Sequence, residues 1–450
     1  MNASTHTPTA DGRLPRLLAP SLAALVALAP LSLDTYLPAL PSMAGEFGAT
    51  MSELQRSVSS FLIGLAVGQL MGGPISDRIG RVRVATIGLS VFLLSTLAIM
   101  FATSVPVLVA LRFTQAMGGG AATVISAAMV RDLFHGRAAA RVMSMIATLM
   151  LGAPLVAPVI GSLVLEVGGW RAIFGFLIAY GFVMLAITRF ALPETVRPSD
   201  SARPGPNLRD VFAGYRGVLS NPRAVGFLLA QAAVSGELFS FITTAPFVFM
   251  DRFGVPPAHF PLYFGAVVAA MIVVVQCNIR LLRRFEPRQI LLGGIGLQIV
   301  AGLALLATVL LTGGRPPIEV WLGCMMVVIG ASGLVTPNSA ACYLEFFPRN
   351  AGSANAVYGS SLFISGGIVG GLVSSLQGDS LVPIALVFVI GPCVAVGFAL
   401  SLAKAGQAVS GVARSGGESA QGQGDMAART TMEAVGTPRL EGPSQGGVDS

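Results

Sequence analysis

Charge is scarce in this chain. Only 11% of its 450 residues are Asp, Glu, Lys or Arg, against about a quarter in soluble globular domains. Hydrophobic residues make up 54%, and the mean hydropathy is +0.76. That balance excludes a soluble globular protein and points to an all-α polytopic membrane protein. Lysine is almost absent: Lys404 is the single lysine among 28 basic residues, which suggests a GC-rich genome and says little about chemistry. Of the three histidines, His6 and His135 fall outside the long apolar runs and His259 sits at the very start of one. With no metal-ligand cluster, nucleotide-binding loop or nucleophile–base arrangement, the chain does not read as an enzyme, and no metal or cofactor is expected. The four cysteines (Cys277, Cys324, Cys342, Cys393) stand singly in apolar segments, as packing residues do. In a soluble protein a net charge of +7 would raise nucleic acid as a partner. Here it reads as basic cytoplasmic loops facing anionic lipid headgroups, with no nucleic acid involved.

What is present is apolar sequence in lengths that cross a bilayer. Runs of about 20 residues between charged or Pro/Gly breaks predict twelve spans, at 17–40, 55–75, 84–103, 106–129, 142–166 and 170–192. After a polar gap come 223–250, 258–281, 289–312, 318–343, 353–377 and 381–404. The 54 glycines and 28 prolines suit transmembrane helices better than soluble ones. The expected organisation is a leader at 1–14, a first six-helix half at 15–192, a cytoplasmic linker at 193–222, a second half at 223–404 and a disordered tail at 405–450. The linker carries Arg197, Arg203, Arg209 and Arg216; the tail is rich in Gly, Ser and Gln. The first apolar run is too long, and leads too directly into further spans, for a cleaved signal peptide. With both termini in the cytoplasm, every basic residue is cytoplasmic except Arg56, Arg171, Arg252 and Arg315, with Arg112 inside a span. The positive-inside bias sets that orientation.

The halves echo each other. At a constant offset of 213, Thr123, Ser126, Ala127, Ala128 and Phe134 match Thr336, Ser339, Ala340, Ala341 and Phe347, and Asp132 faces Glu345. Span 4 thus corresponds to span 10, as in two parallel six-helix repeats with a site between them.

Ionisable residues at membrane depth are costly and usually functional. Asp34 lies deep in the first span. It either couples transport to protons or another cation, or serves structurally beside the helix-breaking Pro38. Arg112 in span 4 keeps its charge under all physiological conditions. It either braces that helix through backbone carbonyls or lies near Asp34 and tunes it. Glu237 in span 7 either bonds a neighbouring helix, projects idly into a cavity, binds a cationic substrate moiety or offers a second protonation site. Tyr36, Gln115, Phe239, Phe241, Asn338, Asn355 and Tyr358 join Glu237 as polar or aromatic candidates for lining a substrate cavity, with Gln231 beside them. Pro154 and Pro158 are expected to interrupt span 5, and Gly366, Gly367, Gly370 and Gly371 to permit close approach in span 11.

Several motifs go further. Gly73-Pro-Ile-Ser-Asp77-Arg78-Ile-Gly80-Arg81-Val-Arg83 falls in the expected loop between spans 2 and 3. By itself it is a positively charged tight turn. It resembles the loop signature of the major facilitator superfamily, a latch between helices that holds one conformation. Asp34-Thr-Tyr36-Leu-Pro38 with Pro41, Arg112-Phe-Thr-Gln115, Arg131-Asp132, Phe239-Ser-Phe-Ile-Thr-Thr-Ala-Pro246-Phe and Ala351-Gly-Ser-Ala354 recur together with it. Ala153-Pro154-Leu-Val-Ala157-Pro158-Val-Ile-Gly161 looks like the antiporter motif of drug exporters. Over residues 15 to 404 the chain resembles the bicyclomycin/chloramphenicol-resistance (Bcr/CflA) drug:proton antiporters. That resemblance implies a major facilitator fold, a monomer, and proton-driven export of amphipathic drug-like molecules from a bacterial inner membrane by alternating access. Export or import of an endogenous metabolite by the same fold is the alternative. Ala116, Ala157 and Ser162 replace glycines of the wider pattern, Glu237 stands where relatives usually carry an apolar residue, and 279–288 keeps arginines without the Gly/Asp framework, so a latch in the second half would be weaker.

Overall fold

The computed structural model describes residues 18–196, 208–348, 351–376, 378 and 380–400. The expected leader and tail, Arg197 and Arg203 of the linker, and Lys404 lie outside them. Among the described residues there is no strand, and eleven helices are long and apolar enough to cross a membrane. One of these, Gly136–Phe190, has 55 residues and is two spans joined where Gly168 and Gly169 leave helical geometry. Gly169 has φ 69°, a conformation that glycine adopts without strain. The twelve expected crossings are therefore present. We number them α1 (Leu18–Phe47), α2 (Met51–Ile79), α3 (Arg81–Ile99), α4 (Val105–Leu133), α5 (136–167), α6 (170–190), α7 (Pro222–Arg252), α8 (Phe260–Leu281), α9 (Pro287–Leu311), α10 (Ile318–Leu344), α11 (Ala351–Ser375) and α12 (Val382–Leu400).

Local chemistry sets the ends and breaks. Thr50 caps α2 in a reciprocal box with Glu53, its amide donating to Glu53 Oε2 at 2.8 Å. Asn221 Oδ1 accepts the amides of Arg223 and Ala224 at the start of α7, behind Pro222. In α1, Pro38 and Pro41 have no N–H for the carbonyls of Asp34 and Leu37. The α-helix accordingly stops at Asp34, passes through a 3₁₀ turn at Leu37–Ala39 and resumes at Leu40. In α7 the ladder widens to a π-turn over Phe247–Arg252 directly after Pro246, with the Phe253 amide reaching back to the Val248 carbonyl at 3.0 Å.

Three expectations need correction. The signature at 73–83 is not a loop: α2 runs helical through Pro74 to Ile79, Gly80 alone makes the turn at φ 109°, and α3 begins at Arg81. Pro154 and Pro158 do not interrupt α5, which stays helical up to Gly168; the prolines only leave the carbonyls of Met150 and Pro154 without their ladder donors. The polar linker contains a helix, Leu208–Leu219. It packs on α11, with Gly214 beside Ser353, and its Tyr215 hydroxyl donates to the Leu70 carbonyl of α2 at 3.2 Å.

Small residues carry the packing, as expected where lipid removes the hydrophobic contrast between helix faces. The most extensive contact is α2 on α4, followed by α3 on α4 and α9 on α10. Between halves the main contacts are α2 with α11 and α5 with α8. Gly367 and Gly370 of α11 lie against Ser59 of α2, and Gly370 also against Thr243 of α7. The Ser52 hydroxyl donates to the Ser374 carbonyl at 2.5 Å, and Ser162 Oγ to the Pro257 carbonyl at 2.9 Å. These last bonds lie at the end of the bundle remote from Gly80. A side chain at Gly118 would put its Cβ 2.8 Å from the Phe92 amide nitrogen of α3, whereas one at Gly73 meets no atom within 4 Å. Gly118→Leu is expected to destabilise by about 1–3 kcal/mol through overpacking, read as a lower thermal midpoint of the purified protein, and Gly73→Ala to leave that midpoint unchanged.

Candidate functional site

Asp34 ends the first helical stretch of α1 and is 2% exposed. Its Oδ1 is buried with no hydrogen-bond partner. The neighbouring hydroxyls turn back on the helix, Ser32 Oγ to the Leu28 carbonyl and Thr35 Oγ1 to the Leu31 carbonyl, both at 2.6 Å, so neither serves the carboxylate. Gly161 of the α5 motif packs directly on this point: a Cβ there would lie 2.8 Å from the Thr35 carbonyl carbon. The next residue, Ser162, holds the segment between α7 and α8. One motif thus touches both the backbone beside Asp34 and the other half of the molecule.

Arg112 is fully buried and held from four helices. Nη2 donates to the Ser32 carbonyl of α1 at 3.2 Å and Nη1 to Gln115 Oε1 at 2.7 Å. Gln115 Nε2 continues to Thr96 Oγ1 of α3 at 2.8 Å. The guanidinium lies 4.5 Å from the Tyr36 ring centroid and 4.2 Å from that of Phe61 on α2, a cation–π setting. Tyr36 is fixed in turn by Ser57 Oγ at 2.9 Å and by the Phe174 ring. Among the described residues no ion pair joins Arg112 to Asp34, so the suggested pairing is absent from this conformation. Tyr36 and Gln115, expected to line a substrate cavity, are fully buried as supports of the arginine.

At the turn between α2 and α3, Arg81 is 7% exposed. Its Nη2 pairs with Asp77 at 2.6 Å, Nε with Asp132 of α4 at 3.2 Å, and Nη1 donates to Ser76 Oγ at 2.7 Å. Arg78 is exposed, and Gly73 adds only space. Glu194 was not anticipated. Its Oε1 accepts the Arg81 amide at 2.7 Å and its Oε2 the Val82 amide at 3.1 Å, capping the start of α3, where a carboxylate suits unpaired amides. Thr195 Oγ1 adds a bond to Asp132 at 2.8 Å. A carboxylate just beyond the sixth span, in Leu192-Pro-Glu-Thr195, was the available signal. In the second half, among the described residues, no ion pair joins Arg288 to Glu345. There Arg288 and Glu345 line a cavity of about 380 Å³ with Arg223, Glu286, Phe227 and Phe346.

The remaining candidates do not converge. Phe239 packs on Phe363 and Gly366 of α11, and Phe241 stacks on Phe264 of α8 at 5.5 Å. Asn338 donates to Asn278 Oδ1 of α8 at 2.7 Å, and the Tyr358 hydroxyl to the Thr336 carbonyl at 3.1 Å. Gln231 bonds Ser235 and Thr336. Asn355 is exposed near the start of α11. Glu237 is fully buried and turned into its own half: Gln298 Nε2 of α9 lies 3.4 Å from its Oε2, and Gly391 of α12 lies against its side chain.

Comparison with known proteins places this arrangement. The Major Facilitator Superfamily model matches residues 22–371. The chain is 31% identical to a bicyclomycin resistance protein homolog of Haemophilus influenzae, over 84% of this chain and 93% of that one. It is 31% identical to a chloramphenicol resistance protein of Pseudomonas aeruginosa, over 91% and 94%. Among solved structures, the partially occluded inward open conformation of the xylose transporter XylE from E. coli is similar in fold, with TM-score 0.64, 17% identity, and coverage of 86% of this chain and 97% of that one.

Removing the guanidinium leaves buried acceptors without donors. Arg112→Ala is expected to cost about 2–4 kcal/mol, as loss of a charged buried partner does, measured as a lower thermal midpoint. Arg112→Lys recovers only part of that stability, because an ammonium lacks the plane that lies between two rings while bonding two oxygens.

Proposed function

The chain belongs to the Major Facilitator Superfamily, within its bicyclomycin/chloramphenicol-resistance group, and from that premise we propose that it exports amphipathic drug-like molecules in exchange for protons. The relatives named for resistance to bicyclomycin and chloramphenicol supply the substrate class. The observation that carries the proton side is Asp34: a carboxyl enclosed at the break of α1, its Oδ1 buried without a donor and in no ion pair among the described residues, packed beside the Gly161–Ser162 step that reaches the second half.

The halves 15–192 and 223–404 rock about a site between them. Their bonds at Ser52–Ser374 and Ser162–Pro257 fit closure on the outer side of a bacterial inner membrane, with both termini and the Arg81 latch in the cytoplasm. An enclosed carboxyl with no counter-charge is far better tolerated neutral than charged, which suits a proton-loaded carrier without drug. Opened to the cytoplasm, Asp34 loses its proton and drug binds. Rocking outward exposes Asp34 to the acidic side, where protonation weakens retention of the drug, and the neutral carrier returns. Negative linkage between the two ligands is what makes the exchange obligatory, and it acts equally in both directions.

The test uses purified protein in proteoliposomes with an imposed pH gradient and a pH-sensitive dye inside. Chloramphenicol, bicyclomycin and lipophilic cations such as tetraphenylphosphonium are added in turn. At least one is expected to trigger proton movement in wild type, falling to the protein-free level in Asp34→Asn. Gradient-driven transport retained by Asp34→Asn would sink the assignment, and silence across the panel from folded protein would favour a metabolite carrier.

A further inference from the structure

Among the described residues only two carboxylates are buried within the bundle, Asp34 and Glu237, and the exchange mechanism uses only the first. We propose that Glu237 is a second proton carrier, enclosed in the second half between α7, α9, α10 and α12. The direction of its proton movement rests on the exchange reading above; its existence as a proton-exchanging site does not.

The polar groups of this cluster leave two buried oxygens, Glu237 Oε1 and Gln298 Oε1, without a donor. Gln298 Nε2 has two N–H groups but three oxygens within reach: the Val328 carbonyl and Ser332 Oγ at 3.2 Å, and Glu237 Oε2 at 3.4 Å. The carbonyl can only accept, which orients the amide. A proton on Glu237 removes an uncompensated buried charge and adds a donor where the cluster has bare acceptors. The groups placed at this site are uncharged: Gln298 of α9 and Gly391 of α12 against the carboxyl, the Val328 carbonyl and Ser332 of α10 against Gln298, and Val369 of α11 against the adjacent Gly236. No ion pair reaches it among the described residues.

The space fits a proton and no larger cation. A single Cβ at Gly391 would lie 2.8 Å from Glu237 Cγ and 2.9 Å from Cδ, leaving no room for the several oxygens that a metal ion gathers. The carboxyl also rides on a helix built to move. α7 is loosened by the π-turn after Pro246 and touches α2 of the opposite half as well as α11. When the halves part, α7 shifts against α9 and α12, and the site opens. The carboxylate takes up one proton on the outer side to become the acid, and returns it to the cytoplasmic side as carboxylate plus proton. The cycle then moves two protons, one on Asp34 and one on Glu237.

The test needs no drug. Purified wild-type, Glu237→Gln and Asp34→Asn proteins in lipid are compared by infrared difference spectroscopy, across a pH step over which surface carboxylates stay ionised. Wild type is expected to lose protonated-carboxyl absorption in two components; Glu237→Gln removes one and Asp34→Asn the other, each halving the protons exchanged. A Glu237→Gln spectrum identical to wild type means the carboxyl never exchanges its proton and overturns the proposal. If Glu237→Gln does not fold, wild type carrying isotope-labelled glutamate carboxyls is expected to show one component shifted; no shift overturns the proposal equally. Failure of drug exchange with the Glu237 component intact would fell the export reading alone.

Discussion

A charge that cannot be neutralised has to be housed before anything else in the first half can be arranged. Arg112 stays cationic whatever its surroundings, and its side chain is fully buried. Four helices contribute to its housing: the Ser32 carbonyl and Tyr36 ring from α1, the Phe61 ring from α2, Thr96 from α3 through Gln115, and Gln115 itself from α4. Hydrogen bonds and ring faces do the work of a counter-ion. The consequence falls on Asp34. Because Nη1 and Nη2 are bonded and the plane lies against two rings without it, with only Nε left unbonded, Asp34 can change protonation state without breaking an ion pair, a loss that costs about 3–5 kcal/mol when a buried pair is broken. An ion pair between the two would have fixed the carboxylate in its charged form.

The break in α1 follows from the same economy of backbone groups. Pro38 and Pro41 free carbonyls around Asp34 and let the chain turn through Leu37–Ala39, and Gly161 admits α5 to backbone contact there. A side chain at Gly161 would push α5 away from α1, and with it the Ser162 bond to the other half. The Gly161–Ser162 step of α5 therefore links a titratable group to the interface of the halves. At the opposite end, Arg81 joins the end of α2 to α4, while Glu194 and Thr195 tie in the segment after α6. The first half is thus braced as one body on that side.

Much of this was legible in the sequence because it is periodic or compositional. The spans, their number and the depth of Asp34 follow from apolar run length, and the repeat offset from matched Thr, Ser, Ala and Phe positions. What was not legible depends on contacts between distant segments. Arg112 gave away its burial but not its hosts, since nothing local marks Phe61 or Ser32 as partners. The latch motif was recognisable, yet its placement in a loop failed because Pro74 sits within a helix that runs on to Ile79. The linker helix had a signal that its arginines masked: Val211, Tyr215, Val218 and Leu219 recur at helical spacing. Polar and aromatic residues on apolar helices were read as cavity lining, but Tyr36, Gln115, Asn338 and Tyr358 bond other helices. In a medium with no water to satisfy them, such groups find partners inside the protein first.

The two halves echo each other in sequence, yet their interiors differ in charge. At the repeat offset, Arg112 and Gln115 correspond to Met325 and Val328, so the second half has no cation at the equivalent depth. Polarity returns there from another helix, through Gln298 of α9, with the Val328 backbone as one of its acceptors. In the second half Glu237 meets the Gln298 amide and Gly391, and no ion pair reaches it among the described residues. A carboxylate in such a setting has no partner to compensate its desolvation, so charge can reside on Glu237 only in a conformation that opens α7 from α9 and α12.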